Sequence, residues 1–290
     1  MAELYVNNNG EVIPNSGYTI STGNRAYMYG DGIFESVRII NGQPINLENH
    51  FNRIQAGAKA LHMRLPLYFN VQFFEQRILE LVNKSGIKEG GKCRISIDRT
   101  SGGTYFPESN DVSFFIDVYP YATNYFDLNS KGLEVDIYQD MKKPKDVLSN
   151  YKTKNGLLYV MTAIAAKEKN LDDLLISSER GTILESSNSN LFVVSNGVLY
   201  TPGLDEGCIA GTMRMQVINL ALQHGIKVYE CSILPQNLLA ADEIFLTNAV
   251  RGITWVGGYR TKRYFNIISR KIQAFLNDSW KNQLEGEDEE

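Results

Sequence analysis

Ile33-Phe34-Glu35-Ser36-Val37-Arg38-Ile39-Ile40-Asn41-Gly42 is the stretch on which the reading of the fold turns. Through Ile40 it is crowded with β-branched and aromatic residues, as a strand is, and Asn-Gly tolerates the positive φ that a tight hairpin turn requires. Just downstream the hydrophobic period changes. Leu47, Phe51, Ile54, Ala58 and Leu61 recur at helical spacing, and Phe73 to Val82 predicts a second helix that stops at Gly86. Strand period followed by helix period predicts an α+β domain. Working outward, Leu4 to about Asn41 reads as short strands, and Cys93 to Ile97 and Val112 to Val118 read as paired strands around a polar loop from Arg99 to Asn110.

Pro120 to Lys131, rich in Asn, Tyr and Ser, reads as a linker, because the strand pattern restarts at Leu133-Glu134-Val135-Asp136-Ile137. The expected organisation is a small N-terminal domain over 1–122, a larger C-terminal domain over 123–280 and a disordered acidic tail over 281–290. Leu157-Leu158-Tyr159-Val160-Met161-Thr162-Ala163-Ile164-Ala165-Ala166 is apolar on every side of a helical wheel, which predicts a helix buried all round with Lys152 at its N-terminal mouth. Strands follow at Leu174–Ser177, Thr182–Leu184 and Leu191–Val194, and Asn196-Gly197 predicts a type I′ turn into Val198–Tyr200. Gly211-Thr212 opens a helix with Met213, Val217, Leu220 and Ala221 on its apolar face, ended by Gly225, and a strand at Glu243–Thr247 leads into Asn248.

Composition removes several function classes. A formal charge of -4 on 290 residues argues against a nucleic-acid partner, whose phosphates call for a basic face. Cys93, Cys208 and Cys231 are widely spaced and odd in number, so neither a disulfide framework nor a metal site is expected. The first residues lack a basic stretch followed by an apolar one, and no run of about 18 apolar residues occurs, so the expectation is a cytoplasmic protein with no membrane partner.

Four segments suit an aldehyde cofactor with a phosphate tail. A desolvated Lys152, in Asn150-Tyr151-Lys152-Thr153-Lys154-Asn155-Gly156, favours the neutral nucleophilic amine. Glu185, at a strand end before a run of small polar residues, could keep a pyridine nitrogen protonated. Gly211 precedes a helix start whose free N–H groups can hold phosphate, and the Arg53 guanidinium could fork onto phosphate oxygens. Taken alone, Lys152, Glu185 and Arg53 read more readily as ordinary surface side chains, Arg53 above all, since it falls off the stripe made by Phe51 and Ile54, and helix starts like that at Gly211 are common.

Together these segments carry a resemblance. Gly30-Asp31-Gly32-Ile33-Phe34-Glu35-Ser36-Val37-Arg38, His50-x-x-Arg53, Lys152-x-x-Asn155, Glu185-Ser-Ser-Asn-Ser-Asn190-Leu-Phe and Gly211-Thr212 stand in the order and spacing of class-IV aminotransferases, from about residue 4 to 260. The resemblance implies the two-domain fold-type IV architecture and pyridoxal 5′-phosphate as cofactor. By it, Lys152 is the catalytic lysine that carries the cofactor as a Schiff base and shuttles the proton, and Glu185 is the ring-nitrogen partner. Arg53, the backbone around Gly211, Thr212 and Met213, and polar groups at Thr247 and Asn248 are implied to hold the phosphate, with Asn190 in the same cofactor-binding motif. It further implies a homodimer with the cofactor in the cleft between domains.

The subgroup turns on what receives the substrate carboxylate. Arg38, Arg94 and Arg99 are the candidate receivers, because an arginine fork binds carboxylates bidentately, and Phe34 and Tyr105 are further candidate substrate contacts. Phe34-Glu35-x-x-Arg38 resembles branched-chain aminotransferases, whereas Arg99-Thr100-Ser101-Gly102-Gly103 with Thr247-Asn248 resembles aminodeoxychorismate lyases. D-amino-acid aminotransferases use an arginine and a histidine where this chain has Thr104 and Phe106. The leading expectation is an aminotransferase acting on a small or branched-chain amino acid and a keto acid. The alternative is a lyase releasing pyruvate and 4-aminobenzoate; a non-catalytic cofactor-binding protein is third, disfavoured by the retention of Lys152 and Glu185.

Overall fold

The computed structural model describes residues 3–286, which divide into two compact units: 3–125 with 151–155, and 126–150 with 156–286. The first unit contains β1 (Tyr5–Asn8), β2 (Glu11–Pro14), α1 (Arg25–Tyr29), β3 (Gly32–Ile40), β4 (Gln43–Pro44), α2 (Leu47–Ala60), α3 (Val71–Lys84), β5 (Gly91–Arg99) and β6 (Val112–Pro120). Its sheet has the order β2-β1-β6-β5-β3-β4 and every pair is antiparallel.

The side-chain period of two gives this sheet two different faces. Ile33, Val37 and Ile39 of β3, Cys93, Ile95 and Ile97 of β5, and Phe114, Ile116 and Val118 of β6 form a core with Phe51, Ile54, Phe74, Ile78 and Leu81 from α2 and α3. Phe34, Ser36, Arg94, Ser96 and Asp117 alternate onto the opposite face. The Asn41-Gly42 turn forms as expected, with φ of 51° and 72°, and fixes this register. One expectation fails upstream: α1 interrupts the region read as strands. Asn24 caps it by accepting from the Tyr27 N–H, and Gly30, at φ 66°, closes it in the left-handed region.

The second unit contains β7 (Leu133–Ile137), α4 (Leu157–Glu168), β8 (Asp173–Ser177), β9 (Ile183–Ser186), β10 (Asn190–Ser195), β11 (Val198–Thr201), α5 (Thr212–Gln223), β12 (Val228–Glu230), α6 (Pro235–Ala240), β13 (Glu243–Asn248), β14 (Gly252–Tyr259), β15 (Lys262–Arg263) and α7 (Ile267–Gly286). The sheet runs β12-β11-β10-β13-β14-β7-β8-β9, and β9 pairs back onto β10, so the strands from β10 round to β9 close on themselves. Val135, Leu175, Ile183, Leu191, Val193, Ile244, Leu246 and Val256 from these strands share one core. The closure matters for function because it sets Asn190 opposite both Glu185 and Thr247.

Two further expectations are corrected. The helix read as buried all round is not: Leu157, Val160, Met161 and Ile164 of α4 are 76%, 52%, 43% and 46% exposed, and only Thr162, Ala165 and Ala166 are buried. An all-apolar wheel therefore reports two apolar faces, of which this chain covers one. The expected disordered tail also begins too early, since α7 continues through Gly286; its remainder, 287–290, lies outside the described residues. No helix among the described residues is long and apolar enough to cross a membrane.

Candidate active site

In the first unit the Lys152 segment lies along β3. Phe34 donates its N–H to the Lys152 carbonyl at 3.0 Å, Lys154 donates to the Gly32 carbonyl at 2.9 Å, and Ile33 and Thr153 form an antiparallel bridge. Lys152 is thus placed by the sheet in the extended run ahead of α4, and not by a buried helix mouth. Its Nζ lies 4.1 Å from the centroid of the Phe34 ring, and the Arg94 guanidinium carbon lies 3.7 Å from the same centroid. A cation over an aromatic face is held by the ring's quadrupole. The amine and the guanidinium therefore share one side chain on the open face of the sheet.

The three arginines offered as carboxylate receivers separate sharply. Arg38 is 1% exposed; its Nη2 donates to the carbonyls of Thr123, Asn124 and Tyr125, and its guanidinium packs 4.1 Å from the Tyr121 centroid. Arg99 donates to Asp31 at 2.9 Å, to Asn110 Oδ1 at 2.5 Å and to the Leu61 carbonyl at 2.7 Å. Both forks are spent on the protein itself, so neither fits the substrate role expected of it. The Arg94 guanidinium, by contrast, makes no hydrogen bond among the described residues, and Arg94 faces Asp117 across the β5–β6 ladder. Burial pulls the Arg94 guanidinium below its ordinary range, partly offset by Asp117 and Asp98. Burial likewise pushes the Asp117 carboxyl up to about 6, against the pull of Arg94, Lys92 and Lys154. Tyr105 is 89% exposed, with its ring 5.4 Å from that of Tyr29.

Arg53 is not the surface arginine its wheel position suggests. Its side chain is 10% exposed, and its Nε donates to Glu35 Oε1 at 2.7 Å while Nη2 donates to Oε2. His50 Nδ1 lies 2.6 Å from the same Oε2 and acts as the donor, since the carboxylate can only accept. Glu35 points into the helix-covered core, where burial alone would raise its carboxyl; Arg53 and His50 outweigh this and hold it at about 2. Burial lowers His50, against the pull of the Glu35 charge. The cluster fixes the plane of the Arg53 guanidinium from behind.

In the second unit the expected cofactor residues gather around β9, β10 and the start of α5. Glu185 is 2% exposed; its Oε2 accepts the Ile209 N–H at 2.8 Å. Asn190 donates to the Ile209 carbonyl at 2.8 Å, and a Cβ built on Gly211 would stand 1.9 Å from Asn190 Oδ1. Gly211 is the N-cap of α5, at φ -67° and ψ 133°, and supplies no side-chain cap hydrogen bond. Thr212 and Met213 are buried, and Met213 contributes its side chain to the core. The Thr247 hydroxyl is buried with no hydrogen-bond partner among the described residues. Asn248 is engaged in its own turn, donating to the Asn188 carbonyl at 2.7 Å and accepting from Val250 at 2.9 Å.

Two residues escaped the sequence reading. Lys143 Nζ donates to Glu185 Oε1 at 2.6 Å, and the Tyr159 hydroxyl donates to the same oxygen at 2.9 Å. Burial, then the Glu185 charge, pushes the Tyr159 phenol far above its usual range, so it stays a donor. A phenol within the apolar run of α4 was the available signal for Tyr159. Lys143 gave none, standing in the lysine-dense stretch Lys142-Lys143-Pro144-Lys145.

The family model for class IV amino-transferases matches residues 32–258. A protein of Methanocaldococcus jannaschii, provisionally assigned as a branched-chain-amino-acid aminotransferase, is 27% identical over 93% of this chain and 94% of its own length. The aminodeoxychorismate lyase of Vibrio harveyi is 23% identical over 89% of this chain and 96% of its own. Among solved structures, a branched-chain aminotransferase from Thermoproteus uzoniensis with norvaline superposes with a TM-score of 0.87 at 23% identity, covering 97% of this chain and 94% of that one. That likeness bears on the fold.

Proposed function

Because the chain belongs to the class-IV aminotransferase family, whose members work with pyridoxal 5′-phosphate, we propose that it moves an amino group from a small or branched-chain amino acid to a keto acid, with Lys152 as the catalytic residue. The observation that carries this reading is the pairing of Lys152 Nζ and the Arg94 guanidinium on the Phe34 ring. A nucleophilic amine and a fork without a hydrogen bond share one ring, as a reaction on an amino acid's α-carbon requires.

The residues present fit the cofactor. The buried Thr247 hydroxyl without a partner, the α5 start without a side-chain cap and the Gly211 cradle suit a phosphate, and Glu185 suits a ring nitrogen. When bound, pyridoxal phosphate supplies an aldehyde that condenses with amines and a ring that accepts electrons from the bond being broken. Lys152 Nζ would hold that aldehyde and would move the substrate's α-proton. Glu185 holds the proton at the ring nitrogen. In the first unit Arg53, oriented by Glu35 through both carboxylate oxygens, would offer its guanidinium to a phosphate; in the second unit the start of α5 and the Thr247 hydroxyl would offer donors to one. Arg94 receives a substrate carboxylate, and Phe34 sets its height above the sheet.

The lyase is the second reading, favoured by one observation. The Ser101-Gly102-Gly103 loop is built into the first unit, its carbonyls accepting from Arg25 at 2.9 Å from Gly102 and 2.6 Å from Thr104. We further propose a homodimer, supported by the outward apolar face of α4, and a cytoplasmic location, in keeping with three free thiols at Cys93, Cys208 and Cys231.

The deciding experiment is a visible spectrum of the purified holoenzyme with L-valine, L-glutamate, D-alanine or aminodeoxychorismate added, and no keto acid. Bleaching of the cofactor's visible band by an amino acid is the expected result and identifies donor and handedness. A persistent band with pyruvate released from aminodeoxychorismate would establish the lyase instead. Full activity in a Lys152→Ala variant would remove the catalytic assignment altogether.

A further inference from the structure

Glu185 carries more partners than a carboxylate with one proton to hold requires. Both oxygens are occupied: Oε1 by Lys143 Nζ at 2.6 Å and the Tyr159 hydroxyl at 2.9 Å, Oε2 by the Ile209 N–H at 2.8 Å. Lys143 is itself 6% exposed and donates a second time to the Ser149 carbonyl at 2.9 Å. Its backbone is tied down as well, with its N–H bonded to the Ser177 carbonyl at 3.0 Å beside the parallel bridge to Ser178. A buried lysine–glutamate pair is an expensive way to hold a fold together, because well-packed apolar residues in its place are often as stable or more so. The pair has a further use at a site where a charged carboxylate must wait for a ligand.

We propose that Lys143 is a positioning residue that keeps Glu185 ionised and aimed before the cofactor arrives, with Tyr159 fixing the direction of the same oxygen. This rests on the reading of Glu185 as the ring-nitrogen partner.

The remaining titratable neighbours cannot do the same work. Tyr159 comes from α4 and Cys208 from the loop before α5; burial first, then the Glu185 charge, raises both, the thiol to about 12, so both are neutral. Arg214, on α5, also bears on Cys208, but its guanidinium is committed to Glu230 and to the Pro202 carbonyl at 2.8 Å. Lys143 is the one cation in hydrogen-bond contact with Glu185 among the described residues. Remove its charge and burial favours the protonated carboxyl. A neutral carboxyl cannot stabilise a protonated ring nitrogen, so cofactor binding then competes with the proton already on Glu185.

The test is titration of the full-length apoprotein with pyridoxal 5′-phosphate, followed by absorbance, across about pH 6 to pH 9. The expected result for Lys143→Met and Lys143→Gln is a ratio of variant to wild-type affinity that worsens about tenfold per pH unit on the acid side and recovers toward one on the alkaline side. Lys143→Arg keeps the ratio near one throughout. A uniform, pH-independent weakening in Lys143→Gln, or no weakening, overturns the proposal, because a purely structural loss carries no proton. Should Lys143→Met fail to fold, the Gln and Arg variants decide alone. Glu185→Gln is the separate check: wild-type affinity there removes the ring-nitrogen reading itself, whereas weakened Glu185→Gln beside unaffected Lys143→Gln removes only the role of Lys143.

Discussion

Glu35 stands on the helix-covered face of β3, where its neighbours in the alternation are Ile33 and Val37, and it is tolerated there because α2 brings His50 and Arg53 to it. Its folded carboxyl is depressed to about 2 from an ordinary 4.5, so it stabilises the protein above about pH 4.5 and loses that contribution as pH falls through about 2. Glu35→Gln is therefore expected to cost on the order of 3 kcal/mol at neutral pH. In denaturant melts the gap from wild type should close between about pH 4.5 and 2; a gap that persists there would mean the loss is one of packing. Asp117 has the opposite sign. Its carboxyl is raised from 3.8 to about 6 by burial, so whatever it adds to stability is present below about pH 3.8 and gone once pH passes about 6. Asp117→Asn should consequently melt later than wild type at about pH 8 and level with it at about pH 4. An earlier melt at pH 8 would show that Arg94 depends on the Asp117 charge. Legibility in the sequence divides along the same residues. Arg38, Arg94 and Arg99 are alike as letters, and only the carbonyls of 123–125 and of Leu61, far off in sequence, reveal two of the forks as spent. Arg53 shows the reverse, since a wheel places it outside while a buried carboxylate on another element draws it in.

Elements were legible where backbone chemistry leaves few options. Asn41-Gly42 and Asn196-Gly197 both form turns with positive φ at each residue, and Gly225, at φ 73°, follows the end of α5 as expected. What period alone could not give was the direction an apolar helix faces, nor a short helix such as α1, which depends on its Asn24 cap and Gly30 more than on any pattern. The start of α5 gives an element-scale prediction. Gly211 is held so close to Asn190 that a Cβ would overlap its Oδ1, and Asn190 in turn holds the Ile209 carbonyl. Gly211→Ala must shift Asn190 or the first turn of α5, at a cost of about 1–3 kcal/mol. If those N–H groups receive the cofactor phosphate, the variant should bind inorganic phosphate and pyridoxal phosphate more weakly in parallel. A loss of pyridoxal phosphate affinity with phosphate binding intact would place the phosphate elsewhere.

At the scale of the whole molecule α4 stands apart: its sequence reads as a helix buried on every side, and its outward face is exposed. Leu157, Val160, Met161 and Ile164 follow the spacing of one helical stripe, opposite the inward Thr162, Ala165 and Ala166. A stripe of large apolar side chains left in water forgoes roughly 1.5–3 kcal/mol for each residue that a second surface would bury, so a composition selected for a buried helix implies that something buries it. If the proposed homodimer forms through this face, self-association supplies that surface with no further partner. Val160→Asp and Ile164→Asp each place a charge where the partner's apolar surface would meet it, a cost large enough to raise the dimer dissociation constant on the order of a hundredfold. Sedimentation at micromolar concentration should then give twice the chain's mass for wild type and the single-chain mass for the variants, with helical content unchanged because the inward face is untouched. Wild-type protein that sediments as a single chain would send the search for the covering surface to a different protein, while variants that remain dimeric would place the self-association on another face and leave the exposure of α4 to be explained anew.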